Sequence, residues 1–197
     1  MANIRKFERA TPTIIDTFLK VTILWMFPRW ILPNHVTIFR FLSIPFVVYA
    51  LIDMHPAFAL FLFVISAFSD AVDGALARTR NQVTNWGKMY DPLADKLLIG
   101  SVAAIVVTKY LSLALTVAII LIELIIIFNA IYRRRKLKII IFARLPGKLK
   151  MILQSIGLGL LLVYSIHASE SILVSALACL YGAIAFGLIS LLVYHSA

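Results

Sequence analysis

Four of the nine acidic residues in this 197-residue chain stand within one short stretch, at Asp70, Asp73, Asp91 and Asp95. Asp70 and Asp73 are three residues apart, and Asp91 and Asp95 are four apart, so on helices each pair projects from one face. Four carboxylates that face one another repel strongly at low dielectric, and a hard divalent cation relieves that repulsion. The spacing therefore indicates a Mg²⁺ or Mn²⁺ site.

Ion pairing is the alternative explanation for the same acids. Basic residues stand close by in the sequence, at Arg78, Arg80, Lys88 and Lys96. From spacing alone these cations could neutralise the carboxylates as salt bridges at a membrane interface. An ionisable cluster in a membrane segment is by default a functional site, which favours the metal.

Arg78 stands close enough to Asp73 along one helix to meet an anion held by the metals, such as a diphosphate. Gly74, which has no side chain, would let a ligand approach the helix backbone.

The composition of the chain places these acids in a membrane protein. Apolar residues make up 62% of the chain and charged residues 14%, with a mean hydropathy of +0.97, which excludes a soluble domain. The single cysteine, Cys179, excludes an intrachain disulfide. Apolar runs predict six transmembrane helices, over 35–54, 57–78, 88–110, 113–132, 147–167 and 172–194. The predicted fold is an all-α polytopic membrane protein.

The first 33 residues are predicted to be a leader, and residues 34–197 a six-helix membrane domain. Within the leader, a Thr-Pro start followed by helical spacing of apolar residues predicts an interfacial amphipathic helix over 12–27, with a disordered leader as the alternative. The net charge of +10 indicates membrane topology and anionic headgroups rather than nucleic acid. With the N-terminus inside, every basic residue except Lys109 falls on the cytoplasmic side of the inner or plasma membrane, as do both termini and the four clustered acids.

The stretch SDAVDGALARTRNQVTNWGKMYDPLADK resembles the signature of the CDP-alcohol phosphotransferases. All eight fixed positions of that signature are present, at Asp70, Asp73, Gly74, Ala77, Arg78, Gly87, Asp91 and Asp95. The resemblance implies two divalent ions, held mainly by Asp70, Asp73 and Asp91. It implies that Asp95 is both a further ligand and the catalytic base. Contacts to the CDP group are implied for Asp70, Gly74 and Arg78.

The string PNHVT at 33–37 resembles the opening of the family's first span. This similarity implies that Asn34 and Thr37 lie beside the nucleotide, with a plain helix cap as an equal alternative for Asn34. The family resemblance as a whole implies an integral-membrane enzyme of phospholipid synthesis. Such an enzyme transfers a phosphatidyl group from CDP-diacylglycerol to a small alcohol and releases CMP, and the resemblance also suggests a homodimer.

The acceptor alcohol is predicted from a narrower similarity. The string NQVTNWGKMYDPLADKLL resembles bacterial phosphatidylglycerophosphate synthases and related cardiolipin synthases, which favours glycerol 3-phosphate. Those synthases usually place an arginine before the acid of the fourth span, whereas here Ile122 precedes Glu123. The leader resembles that of phosphatidylinositol-phosphate synthases instead, so inositol phosphate is the alternative acceptor.

A phosphorylated acceptor needs further cations to hold its phosphate. The candidates are Arg133, Arg134, Arg135, Lys148 and Lys150, for which topology setting, headgroup binding and snorkelling are the alternatives. Glu123 lies in mid-span and needs a partner, either a buried hydroxyl or Arg40, unless it contacts substrate. A cation transporter would also carry intramembrane carboxylates, but these acids cluster at one membrane face and the chain has no internal repeat.

Overall fold

The helices of the chain follow the predicted apolar runs closely. A computed structural model of the protein describes residues 32–80, 85–136 and 145–195. Within these ranges there is no strand, and the long helices are α1 (Pro33–Ile52), α2 (Pro56–Thr79), α3 (Asn85–Tyr110), α4 (Leu113–Lys136), α5 (Leu145–Ile166) and α6 (Glu170–His195). Each coincides with one predicted span, and the ends differ by a few residues. The all-α prediction is confirmed, whereas the helix predicted over 12–27 lies outside the described residues.

Four of the described helices contain a stretch that is long and apolar enough to cross a membrane. These stretches are Asn34–Ile52, Pro56–Leu76, Leu145–Ile166 and Glu170–Leu192. α4 contributes a shorter apolar stretch, Leu113–Asn129. α3 carries four of its five charged residues, among them Asp91 and Asp95, in its first half, which shortens its apolar part; the fifth, Lys109, is in its last turn. Length and composition therefore support four of the six predicted spans.

The turn between α1 and α2 shows how the chain reverses between two apolar helices. The His55 amide donates to the Ala50 carbonyl at 2.9 Å, and Met54 adopts a left-handed backbone with a φ of 58°. Pro56 then begins α2, where a missing amide proton costs no hydrogen bond because first-turn amides have no helical partner. Only three residues, 53–55, therefore separate the end of α1 from the start of α2.

The described residues form two compact units, each with its own packing. The first comprises the described parts of Met1–Tyr49 and Phe61–Leu98, and the second those of Ala50–Leu60 and Ile99–Ala197. In the first unit the buried face of α1 is partly polar, whereas its exposed face is apolar. The buried residues of that face are Val36, Thr37, Arg40, Ser43 and Val47, and the exposed ones include Phe39, Leu42, Phe46 and Tyr49. This inverted pattern fits a helix surrounded by lipid, because only the protein interior offers hydrogen-bond partners there.

In the second unit, α5 and α6 approach each other closely at a glycine. A Cβ atom placed on Gly157 would lie 2.9 Å from Leu180 Cγ and 3.2 Å from Cys179 Cβ. A larger residue at this position would require the Leu180 and Cys179 side chains on α6 to shift. Leu158, Leu161 and Leu180 are fully buried around the contact. Close approach at small residues is a usual way for helices to associate in membranes, where apolar burial alone gives little drive.

Candidate active site

The signature lies on two consecutive helices of the first unit. Asp70, Asp73, Gly74 and Arg78 fall in the second half of α2. The last two acids, Asp91 and Asp95, fall in the first half of α3. This is the helix assignment that the sequence predicts. The side chains of Asp70, Asp73 and Arg78 lie outside those that the structure describes, so their predicted roles are not decided by it.

Asp91 is held by a residue from a third helix of the same unit. The buried Thr37 hydroxyl donates to Asp91 Oδ1 at 2.5 Å. A hydroxyl that donates to a carboxylate makes a short, charge-assisted bond about twice as strong as a neutral one. The bond therefore fixes one oxygen of Asp91 and joins α1 to α3. The sequence associates Thr37 with the nucleotide, and the structure brings it to a predicted metal ligand.

An aromatic contact supports the same junction. The Phe41 ring on α1 meets the Tyr90 ring on α3 edge-on, with centroids 6.5 Å apart and planes at 69°. Tyr90 directly precedes Asp91, and Phe41 lies one turn beyond Thr37. Edge-to-face pairs of this kind contribute about 0.5–1.5 kcal/mol beyond their buried area. α1 and α3 are therefore fixed to each other by both a polar and an apolar contact beside the carboxylate.

Arg40 is a polar residue of this unit to which the sequence analysis gave no role at the site. Its side chain is completely buried, and its Nε donates to the Ser66 carbonyl and to Ser69 Oγ, both at 3.2 Å. Ser69 Oγ in turn donates to the Ser66 carbonyl at 2.7 Å. The signal that could have revealed this contact is the lone arginine of the first apolar span together with two serines just before the first signature acid.

A further serine extends these contacts on the α1 side. Ser43 Oγ donates to the Arg40 carbonyl at 2.8 Å and lies 2.5 Å from Ser66 Oγ. Because a hydroxyl has a single proton, the Ser66 hydroxyl is the donor in that second contact. The three residues Ser43, Ser66 and Ser69 form a buried serine cluster around Arg40. Every hydroxyl in the cluster has an acceptor, which a buried polar group requires.

The second unit contains a buried ion pair between Lys150 and Glu123. Lys150 Nζ contacts Glu123 Oε2, with side-chain exposures of 6% and 13%. The partners weighed for Glu123 from the sequence were a hydroxyl and Arg40, whereas the structure supplies Lys150. Gly187 makes room for Ile122, the residue before Glu123, because a Cβ on Gly187 would lie 2.8 Å from Ile122 Cγ2. The same Cβ would be at an ordinary contact distance of 3.8 Å from Lys150 Cγ.

The remaining predicted residues have varied surroundings. Lys148 is exposed on the first turn of α5, while Lys150 and the neighbouring Gln154 are buried. Asn34 is half-buried within the first turn of α1, which begins one residue earlier at Pro33. Arg133, Arg134 and Arg135 fall in the last turns of α4, and their side chains are outside the described set.

The chemistry of the described acids suits a hard divalent cation. Asp91 and Asp95 are both partly buried carboxylates, one turn apart on α3, and oxygen is the donor that Mg²⁺ and Mn²⁺ prefer. A carboxylate accepts up to about four contacts, so the Thr37 bond orients Asp91 without preventing cation binding. Among the side chains that the structure describes, no three ligating groups come together.

These features define an integral-membrane, all-helical protein with an acidic site on consecutive helices. A family model described as CDP-alcohol phosphatidyltransferase matches residues 30–189. The match covers most of the chain and contains all four signature acids, so this chain belongs to the CDP-alcohol phosphatidyltransferase family.

Individual relatives agree with the family assignment. Three proteins named CDP-diacylglycerol–glycerol-3-phosphate 3-phosphatidyltransferase are similar to this chain. The Mycoplasma genitalium protein is 35% identical over 70% of this chain and 56% of its own length. The Rickettsia felis protein is 42% identical over 40% of this chain and 45% of its own, and the Escherichia coli K12 protein 39% identical over 40% and 44%. The chain thus spans about half the length of the relatives that it matches.

Proposed function

We propose that this protein transfers a phosphatidyl group from CDP-diacylglycerol to glycerol 3-phosphate and releases CMP. The observation that carries the proposal is the complete signature, whose acids fall on α2 and α3 and whose Asp91 is held by the Thr37 hydroxyl. Family membership supports the CDP-alcohol donor. The names of the relatives favour glycerol 3-phosphate as the acceptor.

In the proposed reaction an acceptor hydroxyl attacks the phosphorus of the phosphatidyl group. A new phosphorus–oxygen bond forms, the bond from that phosphorus to the CMP oxygen breaks, and CMP leaves with the electron pair. Asp95 accepts the hydroxyl proton as general base. Two Mg²⁺ or Mn²⁺ ions, held by Asp70, Asp73, Asp91 and Asp95, supply charge neutralisation for the diphosphate and the leaving CMP.

Residues of α1 and α2 complete the donor site in this proposal. Arg78 pairs with the diphosphate, and Gly74 allows the diphosphate to approach the helix backbone. Asn34 lies beside the nucleotide at the start of α1. Thr37 acts on the same site through Asp91, whose orientation it fixes.

The acceptor phosphate is assigned to the basic residues Arg133, Arg134, Arg135, Lys148 and Lys150. Lys148 is exposed and offers its ammonium to a soluble ligand directly. The buried Lys150 ammonium already contacts the Glu123 carboxylate, so an acceptor phosphate would have to compete with Glu123 for this ammonium. This difference makes Lys148 the stronger candidate of the two lysines.

The proposal includes six membrane spans with both termini and the site on the cytoplasmic side. The basic residues support this orientation, because all but Lys109 then lie inside. A site at the inner interface lets the lipid tails stay in the bilayer while soluble substrates arrive from the cytoplasm. The resemblance to the family also leads us to propose a homodimer.

The decisive experiment measures CMP release by the purified full chain in detergent. CDP-diacylglycerol and Mg²⁺ or Mn²⁺ are combined with glycerol 3-phosphate, inositol phosphate, free inositol or serine. We expect release with glycerol 3-phosphate, and none after chelation or in Asp70→Asn and Asp91→Asn. Asp53→Asn is the matched control, because that acid is exposed in the turn after α1 and should keep full activity.

Each contrary result rejects a defined part of the proposal. Undiminished release in chelator rejects the metal ions. If inositol phosphate is the preferred acceptor, the glycerol 3-phosphate assignment is wrong and the phosphatidyl-transfer assignment stands. If no acceptor supports release, the enzyme assignment fails, and Mn²⁺ uptake into vesicles containing the protein tests the cation transporter.

A further inference from the structure

Arg40 is a basic residue buried in an apolar helix. Its side chain has no exposed surface, and the surrounding stretch of α1 is apolar enough to span a membrane. Charged residues in such segments are costly and are usually retained for a functional site. The contacts of Arg40 indicate which site that is.

The guanidinium contacts the turn of α2 that leads into the signature. Nε donates at 3.2 Å to both the Ser66 carbonyl and Ser69 Oγ. In a regular α-helix the carbonyl of residue 66 also accepts the amide proton of residue 70. Ser69 is the residue directly before Asp70. Arg40 is thus bonded to the two groups of α2 that adjoin the backbone of Asp70.

The same face of α1 also contacts the other half of the signature. Thr37 precedes Arg40 by three residues, so the two side chains leave the helix on one side, about 4.5 Å apart along its axis. Thr37 bonds to Asp91 on α3, while Arg40 bonds to α2. α1 therefore connects the two helices that carry the signature acids through two adjacent polar contacts.

We propose that Arg40 is a positioning residue for the carboxylate site, acting through Ser66 and Ser69 on the turn that presents Asp70. The inference rests on the proposed function, since it assigns Asp70 to the metal ions. Arginine is suited to this role because its Nε–H lies in a rigid, planar guanidinium and is shared between the two acceptors. Lysine keeps the charge but has a methylene group where arginine has Nε, so it lacks the donor that makes both contacts.

The test measures Mn²⁺ binding to the purified full chain by electron paramagnetic resonance, without substrate. We expect Arg40→Lys to bind Mn²⁺ about tenfold more weakly, the usual loss when a residue that orients metal ligands is changed. Ser69→Ala should weaken binding in the same direction by a smaller factor. Ser165→Ala is the matched control, because Ser165 likewise donates to the carbonyl three residues earlier, at 2.6 Å, in α5. It should bind Mn²⁺ like the unchanged protein.

Thermal unfolding in detergent separates positioning from simple stabilisation. If Arg40→Lys and Ser69→Ala unfold at lower temperature but keep the original Mn²⁺ affinity, Arg40 has only a structural role and the inference fails. Arg40→Met adds a variant that lacks the charge. If this variant does not fold, Arg40→Lys and Ser69→Ala decide between positioning and simple stabilisation. Because Mn²⁺ binding is measured without substrate, its result is independent of the CMP-release experiment. Absence of CMP release would contradict only the proposed function.

Discussion

The Thr37 hydroxyl donates a hydrogen bond of 2.5 Å to Asp91 Oδ1, although the two residues are 54 positions apart. Thr37 is buried, whereas Asp91 is only partly buried. The bond connects the start of the first described helix to a carboxylate of the signature. A residue predicted to touch the nucleotide thus also orients a predicted metal ligand.

We predict that Thr37→Val lowers kcat/KM because it keeps the shape of the side chain and removes the donor. Loss of a hydrogen bond to a charged group costs about 1.5–3 kcal/mol, or roughly 10- to 150-fold. Thr37→Ser keeps the hydroxyl and should retain most of the activity. Steady-state CMP release measures both variants. Equal activity in Thr37→Val and the unchanged protein would show that Asp91 needs no support from α1.

Asp95→Asn should lose transfer while keeping CDP-lipid binding better than Asp70→Asn does. The asparagine amide cannot take the proton from the hydroxyl of the acceptor alcohol, but the other carboxylates of the site remain. Binding of a CDP-lipid and single-turnover CMP release separate the two effects. Near-normal turnover in Asp95→Asn would mean that water or the acceptor phosphate takes the proton. Equal binding losses in the two variants would make Asp95 chiefly a ligand.

Changing a basic residue that binds the acceptor phosphate to alanine should raise the KM for the acceptor and leave the KM for the CDP-lipid nearly unchanged. We expect this of at least one among Arg133, Arg134, Arg135, Lys148 and Lys150. The rise should be roughly 10- to 150-fold, the value of one charge-assisted contact. Substrate titrations of the five single variants test it. The phosphorylated acceptor is rejected if all five keep the original acceptor KM, or if free inositol or serine outcompetes both phosphates.

The Lys150 and Glu123 pair should behave as a buried ion pair in stability measurements. Lys150→Met leaves the Glu123 carboxylate buried without its cation, which we expect to destabilise the protein by about 3–5 kcal/mol. The double variant Lys150→Met with Glu123→Leu removes both charges and should recover much of that loss. Unfolding in detergent compares them, with the exposed Lys148→Met as the control. Additive losses in the double variant would contradict the pairing.

Gly157→Ala should destabilise the contact between α5 and α6. The added methyl group would lie 2.9 Å from Leu180 Cγ, and overpacking of this kind costs about 1–3 kcal/mol. Gly100→Ala is the matched control, since its new Cβ meets no atom within 4 Å and should stabilise α3 by about 0.5–1 kcal/mol. Unfolding temperatures of the two variants should therefore move in opposite directions. A stabilised Gly157→Ala would show that the helices can separate there at little cost.

The amino-acid sequence by itself determined the all-α class and the location of each described helix. Apolar run length and proline positions are local properties, so they predict where a helix begins and ends. The sequence also determined that the signature acids divide between the ends of two successive helices. The number of helices that span the membrane follows less directly, because charges such as those at the start of α3 shorten its apolar stretch.

Only the tertiary structure decided which polar residues meet. Thr37 meets Asp91, Arg40 meets Ser66 and Ser69, and Glu123 meets Lys150. These partners belong to different helices, and helical periodicity gives the face of a residue without identifying the neighbour that this face will contact. In an apolar surrounding each buried polar group must find a partner, but several partners satisfy that need equally well. The packing of the helices selects one of them, which is why Glu123 could be expected to pair and yet its partner Lys150 could not be named.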